Sequence, residues 1–218
     1  MPIPYQRTLA SNASLEGTSL HTGEKVTLTM KPAPPNHGIV FRRIDLEDMP
    51  FIPASVDNVQ QVERATTLAV GSVKVHTVEH VISALAGMGI DNALIEMDAN
   101  EPPIGDGSAA PYVKCIKEAG SIEQDELASV FEIREPIHFE SENGSIISIV
   151  PSKNFRVSCT HASDGGKMTQ YYSASITPEI YEEQIAPART FVFYEDVQPL
   201  LEKGLIKSQP IELAILGK

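Results

Sequence analysis

The stretch Val75–Asp98, VHTVEHVISALAGMGIDNALIEMD, changes its hydrophobic period part-way along and so decides what kind of fold the chain can make. Its apolar residues Val78, Val81, Ile82, Leu85 and Met88 recur on one helix face, with Thr77 placed as the cap and Gly87 or Gly89 at the end. A strand begins almost at once in NALIEMD. Where the helix opens lie His76, Glu79 and His80. On a continuous helix two histidines four apart share a face and suit a metal ion. Glu79, however, is adjacent to His80 and about 100° around the helix from it. His76 also falls at or before the cap, where helical spacing lapses. The other account is that Glu79 favours the positive end of the helix dipole while the histidines make local hydrogen bonds. Spacing alone favours this second account.

Upstream, Lys25–Lys31 alternates apolar and polar residues as a half-buried strand does. The link PAPPNHG leads to a second strand, IVFRRID, and the pair reads as a long hairpin. Downstream, NEPPIGDGSAAP is turn chemistry, and Ser108 is placed to cap a helix with Tyr112, Cys115, Ile116 and Ala119 on one face, ending at Gly120. After SIEQDELAS the pattern restarts with strand VFEIREPIHF, an Asn143-Gly144 turn, and strands SIISIVP and FRVSCTHAS. Helices are expected from Thr177-Pro178 and through EDVQPLLEKG to Gly204. The expected fold is α+β: two tandem domains of related topology, residues 1–124 and 125–218, each a mainly antiparallel sheet with helices on one face, the second incomplete.

The 218 residues are 42% hydrophobic and 21% charged, enough for a sizeable core. Seventeen basic against 29 acidic residues give a net charge of -12, which disfavours nucleic acid and anionic membrane surfaces as partners. The N-terminus has no signal-peptide pattern and no stretch has the length of a membrane span, so a cytoplasmic location without stable membrane insertion is expected. Cys115 and Cys159 are too few for a disulfide scaffold and read as reduced thiols on core faces.

Five segments taken together carry more than any spacing: GTSLHTG (17–23), ATTL (65–68), TVEHVISALAGMGIDN (77–92), PPIGDGSAAPYV (102–113) and ARTFVF (188–193). In this order they closely resemble the UDP-3-O-acyl-N-acetylglucosamine deacetylases, the zinc amidases of the committed step of lipid A synthesis, from near residue 3 to about residue 207. The resemblance implies two tandem α+β domains with the active site between them. It makes His80 a Zn2+ ligand, Glu79 the general base and Thr190 a stabiliser of the oxyanion. His21 and Asp106 would line or support the site, Phe191 would lie near the mouth of an acyl-chain passage, and His76 would be a bystander. The substrate implied is UDP-3-O-acyl-N-acetylglucosamine, which loses acetate from its 2-acetamido group, and the fold suits a monomer. Such roles make physical sense: zinc brings the pKa of bound water to about 7, and preorganised donors stabilise charge growing on the carbonyl oxygen.

The pattern also departs from that family. Its other two zinc ligands come from a His-x-x-x-Asp helix beyond the Ala-Arg-Thr-Phe segment and its proposed general acid from a later histidine, none of which appears before Lys218. After EKGLIK the text SQPIELAILGK replaces the family's paired glycines and Asp-Asn-Ala run. The expectation is therefore a deacetylase chain that by itself lacks two ligands and the acid and is inactive. His161 with Asp164, and His138 with Glu142, lie in strand or turn text and do not share a helical face; His161 and His37 are expected to make local hydrogen bonds or face solvent. The alternatives are a non-catalytic homologue that binds a nucleotide sugar or a partner protein, and a zincin-like hydrolase using His76 and His80 together.

Overall fold

The computed structural model describes residues 3–62, 65–162 and 168–193, with residues 199, 202 and 214–216 beyond them. Of the helix expected through EDVQPLLEKG, only Pro199 and Glu202 are described, and both are helical; its terminal Gly204, and Asp164, lie outside the described residues.

The first half is built on a five-stranded sheet. Its strands are β2 (Ala13–Thr18), β3 (Lys25–Pro32), β4 (Ile39–Arg43), β5 (Phe51–Pro53) and β9 (Ala93–Met97), in the order β2-β3-β9-β4-β5. Alternation puts Val26, Leu28 and Met30 of β3 and Ala93, Ile95 and Met97 of β9 into the core. The intervening residues carry an ion-pair ladder, Lys31–Glu96 (2.6 Å) and Arg42–Glu96 (3.4 Å), on the opposite face. Helices α1 (Glu79–Gly87) and α2 (Ala110–Ala119) cover the core face with Val81, Ala84 and Leu85, and with Tyr112, Val113 and Ile116. The Tyr112 hydroxyl, deep in this core, donates to the Pro103 carbonyl.

The hairpin expected from β3 and β4 does not form. β9 lies between them, antiparallel to β3 and parallel to β4. The PAPPNHG link spans the two strand spacings, about 10 Å, across β9, turning at Asn36 (φ 62°) and Gly38 (φ 70°). Three apolar side chains that are fully buried suit β9 to the sheet centre.

A smaller sheet joins β6 (Val59–Gln61), β7 (Thr67–Val70) and β8 (Val73–Val75) in sequence order. β1 (Tyr5–Leu9) pairs antiparallel with β10 (Ser121–Leu127), from Leu9↔Ser121 to Tyr5↔Leu127. α2 ends where expected, at Gly120 with φ 71°.

Further along, β11 (Ile137–Glu140) and β12 (Ile146–Ile149) form a hairpin about the Asn143-Gly144 turn, and β13 (Arg156–Ala162) pairs with β14 (Thr169–Ser175). Among the described residues these hairpins are not joined into one sheet. Large apolar side chains stand in the open here: Phe131 is 86% exposed, Phe155 72% and Tyr171 69%. Cys159, expected on a core face, is exposed because β13 has solvent on both faces. Cys115 is half-buried, and its thiol donates to the Ser14 carbonyl.

A turn of helix, α3 (Pro178–Ile180), starts as expected at Thr177, whose hydroxyl accepts from the Ile180 N–H. It runs into a π-helical turn, Tyr181–Ile185. The final described strands are β15 (Phe191–Phe193) and β16 (Ala214–Leu216), paired in parallel.

Candidate active site

The segment leading from β8 into α1 is fixed by the ATTL strand beside it. Thr66 N–H donates to Glu79 Oε2 (3.0 Å), Val78 N–H donates to the Thr66 carbonyl (3.3 Å), and the Thr67 hydroxyl pairs with His76 Nδ1 (2.9 Å). Glu79 is the first residue of α1 and His80 the second. Thr77 is not the cap. It sits at φ 54°, and its hydroxyl donates to Glu101 Oε1 (2.7 Å), so Val78 occupies the cap position with no side-chain hydrogen bond. His76 precedes the helix, so the helical face that the zincin-like arrangement needs does not extend to it.

Burial pushes the His80 imidazole below its ordinary value, only partly offset by the Glu79 and Asp106 carboxylates nearby. Burial does the same to His76, opposed by Glu101 and reinforced by Lys74, His21 and Arg43. Both rings are therefore biased towards the neutral form, which is the form that ligates metal.

A pH dependence of stability follows. The unfolded chain, with histidines titrating near 6.5, binds more protons than the folded one as pH drops, and stability rises with pH wherever that holds. The contribution is complete above the unfolded value and is lost as pH falls through the lowered folded value. Melting temperature is expected to drop as pH falls below about 6.5, and His76→Gln to flatten part of that slope. A wild-type melting temperature that is flat or rises on acidification would contradict the assignment.

Asp106 belongs to the turn before α2. Its Oδ1 accepts from the Ser108 N–H (3.0 Å) and hydroxyl (2.6 Å), and the Ser108 hydroxyl in turn accepts from the Ala110 N–H (3.1 Å); the cap position is Ala109, one residue later than expected, and has no side-chain hydrogen bond of its own. The ARTF segment docks onto the same turn. Thr190 N–H donates to the Gly107 carbonyl (2.7 Å), Arg189 Nε to the Asp106 carbonyl (2.6 Å), and Ala109 N–H to the Ala186 carbonyl (3.0 Å). Residues 77 to 83 apart in sequence thus meet at one turn. Phe191 leads away from it along β15, edge-on to His161 (5.8 Å) and to Phe193 (5.7 Å). His161 faces solvent, as expected, and also sets its ring edge-on to Phe191.

His21 lies in the loop between β2 and β3. Its N–H and that of Thr22 donate to the Glu101 carboxylate (2.9–3.1 Å). Both ring nitrogens of His21 are buried without a hydrogen-bond partner among the described residues. Glu101 is a residue that periodicity does not reveal. It follows β9 in the text ANEPP, where composition signals only a turn, yet it is 0% exposed.

The sequence profile of the LpxC family, UDP-3-O-acyl N-acetylglycosamine deacetylase, matches residues 6–218. The chain belongs to this family. The UDP-3-O-acyl-N-acetylglucosamine deacetylase of Myxococcus xanthus is 43% identical over 220 residues, which cover 99% of this chain and 69% of the relative. That of Saccharophagus degradans is 42% identical over 216 residues, covering 97% and 70%. The bifunctional enzyme LpxC/FabZ of Bacteroides thetaiotaomicron is 41% identical over 212 residues, covering 97% of this chain and 46% of its own length. The chain therefore spans less than half of the bifunctional relative. The LpxC match also runs through residues 208–218, the tail that the motif comparison sets apart, so that text lies within the family's range.

In this LpxC-family chain the fit to zinc can be tested on the donors themselves. His80, biased towards its neutral form by burial and within electrostatic reach of the Glu79 and Asp106 carboxylates, has the character of one ligand. Among the described residues no group of three His, Cys, Asp or Glu is gathered closely enough to hold a metal, and a catalytic zinc ordinarily takes three protein ligands. These residues fit one side of such a centre.

Proposed function

We propose that the protein hydrolyses the 2-acetamido group of UDP-3-O-acyl-N-acetylglucosamine and releases acetate. The observation that carries this reading is the docking of the ARTF segment onto the GDGS turn through Thr190 and Gly107, with Asp106 of that turn within electrostatic reach of His80, in a chain of the LpxC family.

In this reading His80 is a Zn2+ ligand, and the metal when bound supplies an acidified water and a Lewis acid for the amide carbonyl. Glu79, anchored through Oε2 by Thr66 N–H, is the general base and takes the water's proton. The Thr190 hydroxyl, its backbone tied to Gly107, donates to the developing oxyanion. His21 and Asp106 support the site, and Phe191 with its aromatic neighbours lines the passage for the 3-O-acyl chain. We read the chain as two tandem α+β units, residues 1–124 and 125–218, in a cytoplasmic monomer without a nucleic-acid partner. No described helix is long and apolar enough to cross a membrane.

The test is acetate release from UDP-3-O-acyl-N-acetylglucosamine by the protein at its full natural length. Activity is expected to vanish with a zinc chelator and to return when zinc is restored. Zinc-loaded protein that binds the nucleotide sugar without releasing acetate would refute the reading.

A further inference from the structure

We propose that Glu101 is a positioning residue, a single buried carboxylate that couples the His21 loop to the start of α1 and so sets the placement of His21 relative to Glu79 and His80. Its kinetic consequence rests on the deacetylase reading above; its structural consequence does not.

A carboxylate with no exposure is costly unless its oxygens are satisfied. Here two separate segments satisfy it. The loop after β2 supplies His21 N–H, shared between both oxygens at 3.1 and 3.0 Å, and Thr22 N–H at 2.9 Å. The segment before α1 supplies the Thr77 hydroxyl at 2.7 Å.

Each segment is held to the other through this carboxylate. The His21 ring has no hydrogen-bond partner of its own among the described residues, so backbone bonds place the residue: Ser19 closes the loop onto Thr22 and Glu24, and Glu101 ties the loop to the rest of the fold. Thr77 is a β-branched residue at φ 54°, a conformation that persists only where surroundings over-determine it. α1 lacks a side-chain cap, and the Thr77–Glu101 bond stands at the point where one would act. The residue before Glu101 adds a third tie, its carbonyl accepting from His76 N–H (2.8 Å).

A glutamate that merely stabilised the fold would not transmit a change from one segment to the other. The test uses Thr77→Val, which keeps the shape and removes the donor, and Thr77→Ser, which keeps the donor. Amide resonances of His21 and Thr22 are expected to move in Thr77→Val and to stay near wild type in Thr77→Ser. In acetate-release kinetics Thr77→Val should lower kcat about 10- to 100-fold with KM unchanged, as expected for misplaced groups, and Thr77→Ser should recover it. Glu101→Gln, which puts an amide donor against backbone donors, should show both effects more strongly; should it fail to fold, the Thr77 pair still decides.

His21 and Thr22 resonances that stay fixed in Thr77→Val would overturn the coupling, and so would equal losses in Thr77→Val and Thr77→Ser. A wild-type protein that releases no acetate would overturn the deacetylase reading alone, because the amide shifts report on Glu101 without turnover.

Discussion

Glu79→Gln is expected to lower kcat for acetate release about 10²- to 10⁴-fold, the range a positioned general base supplies, while the protein melts close to the wild-type temperature. The second half of that expectation comes from the anchoring bond. Thr66 N–H donates to Glu79 Oε2, and a glutamine side-chain carbonyl accepts the same bond in the same volume. What the substitution removes is the ability to accept a proton from water. Steady-state kinetics beside a thermal melt separate the two effects. Wild-type turnover in Glu79→Gln would remove Glu79 from the mechanism, whereas a collapsed melt would show that the carboxylate's charge matters more to folding than to chemistry.

Gly87→Ala is expected to destabilise the protein by about 1–3 kcal/mol, the usual cost of overpacking. Helix propensity alone would give the opposite sign, since alanine is favoured over glycine in a helix by about 1 kcal/mol. The reversal comes from Tyr181. A Cβ added at Gly87 would lie 2.3–2.5 Å from three atoms of its ring. The ring has little room to retreat, because Tyr181 is buried and its hydroxyl pairs with Ser83 at 2.7 Å. The α3 and π-helical segment would have to move, and it leads directly to Ala186 and Thr190, which hydrogen-bond to Ala109 and Gly107. Lower kcat should therefore accompany the loss of stability. Denaturant titration of Gly87→Ala alone and in a Tyr181→Leu background checks the cause. The cost should shrink in the double variant if the ring is the obstacle; an unchanged cost would place the strain elsewhere.

The parts of the fold legible in the sequence were those with local physics. α1, α2 and β9 announce themselves by periodicity, and the Gly120 and Asn143-Gly144 breaks fall where expected. Longer-range relations were not legible. Nothing near β3 or β4 says that β9 will enter between them, because strand order is a property of the whole sheet. VFEIREPIHF reads as one strand, but pairing begins only at Ile137, after Pro136, which has no N–H to give a ladder. At the candidate site, motif text singled out Glu79, His80, Asp106 and Thr190, and the structure links Asp106 and Thr190 through one turn, with Asp106 within electrostatic reach of His80. Glu101 escaped because its partners lie 24 and about 80 residues away. Thr77 misled because its residue type suits a cap and only a tertiary contact draws its hydroxyl elsewhere.

The pairing of β1 with β10 joins Tyr5 to Leu127. At synthesis rates of 5–20 residues per second, β1 is made roughly 6–24 s before its partner strand is complete. For that interval its backbone donors and acceptors are open to any passing chain. The nascent polypeptide thus has a window of vulnerability whose length is set by translation speed, and slowing the ribosome between the codons for Leu9 and Ser121 would lengthen the wait for β10.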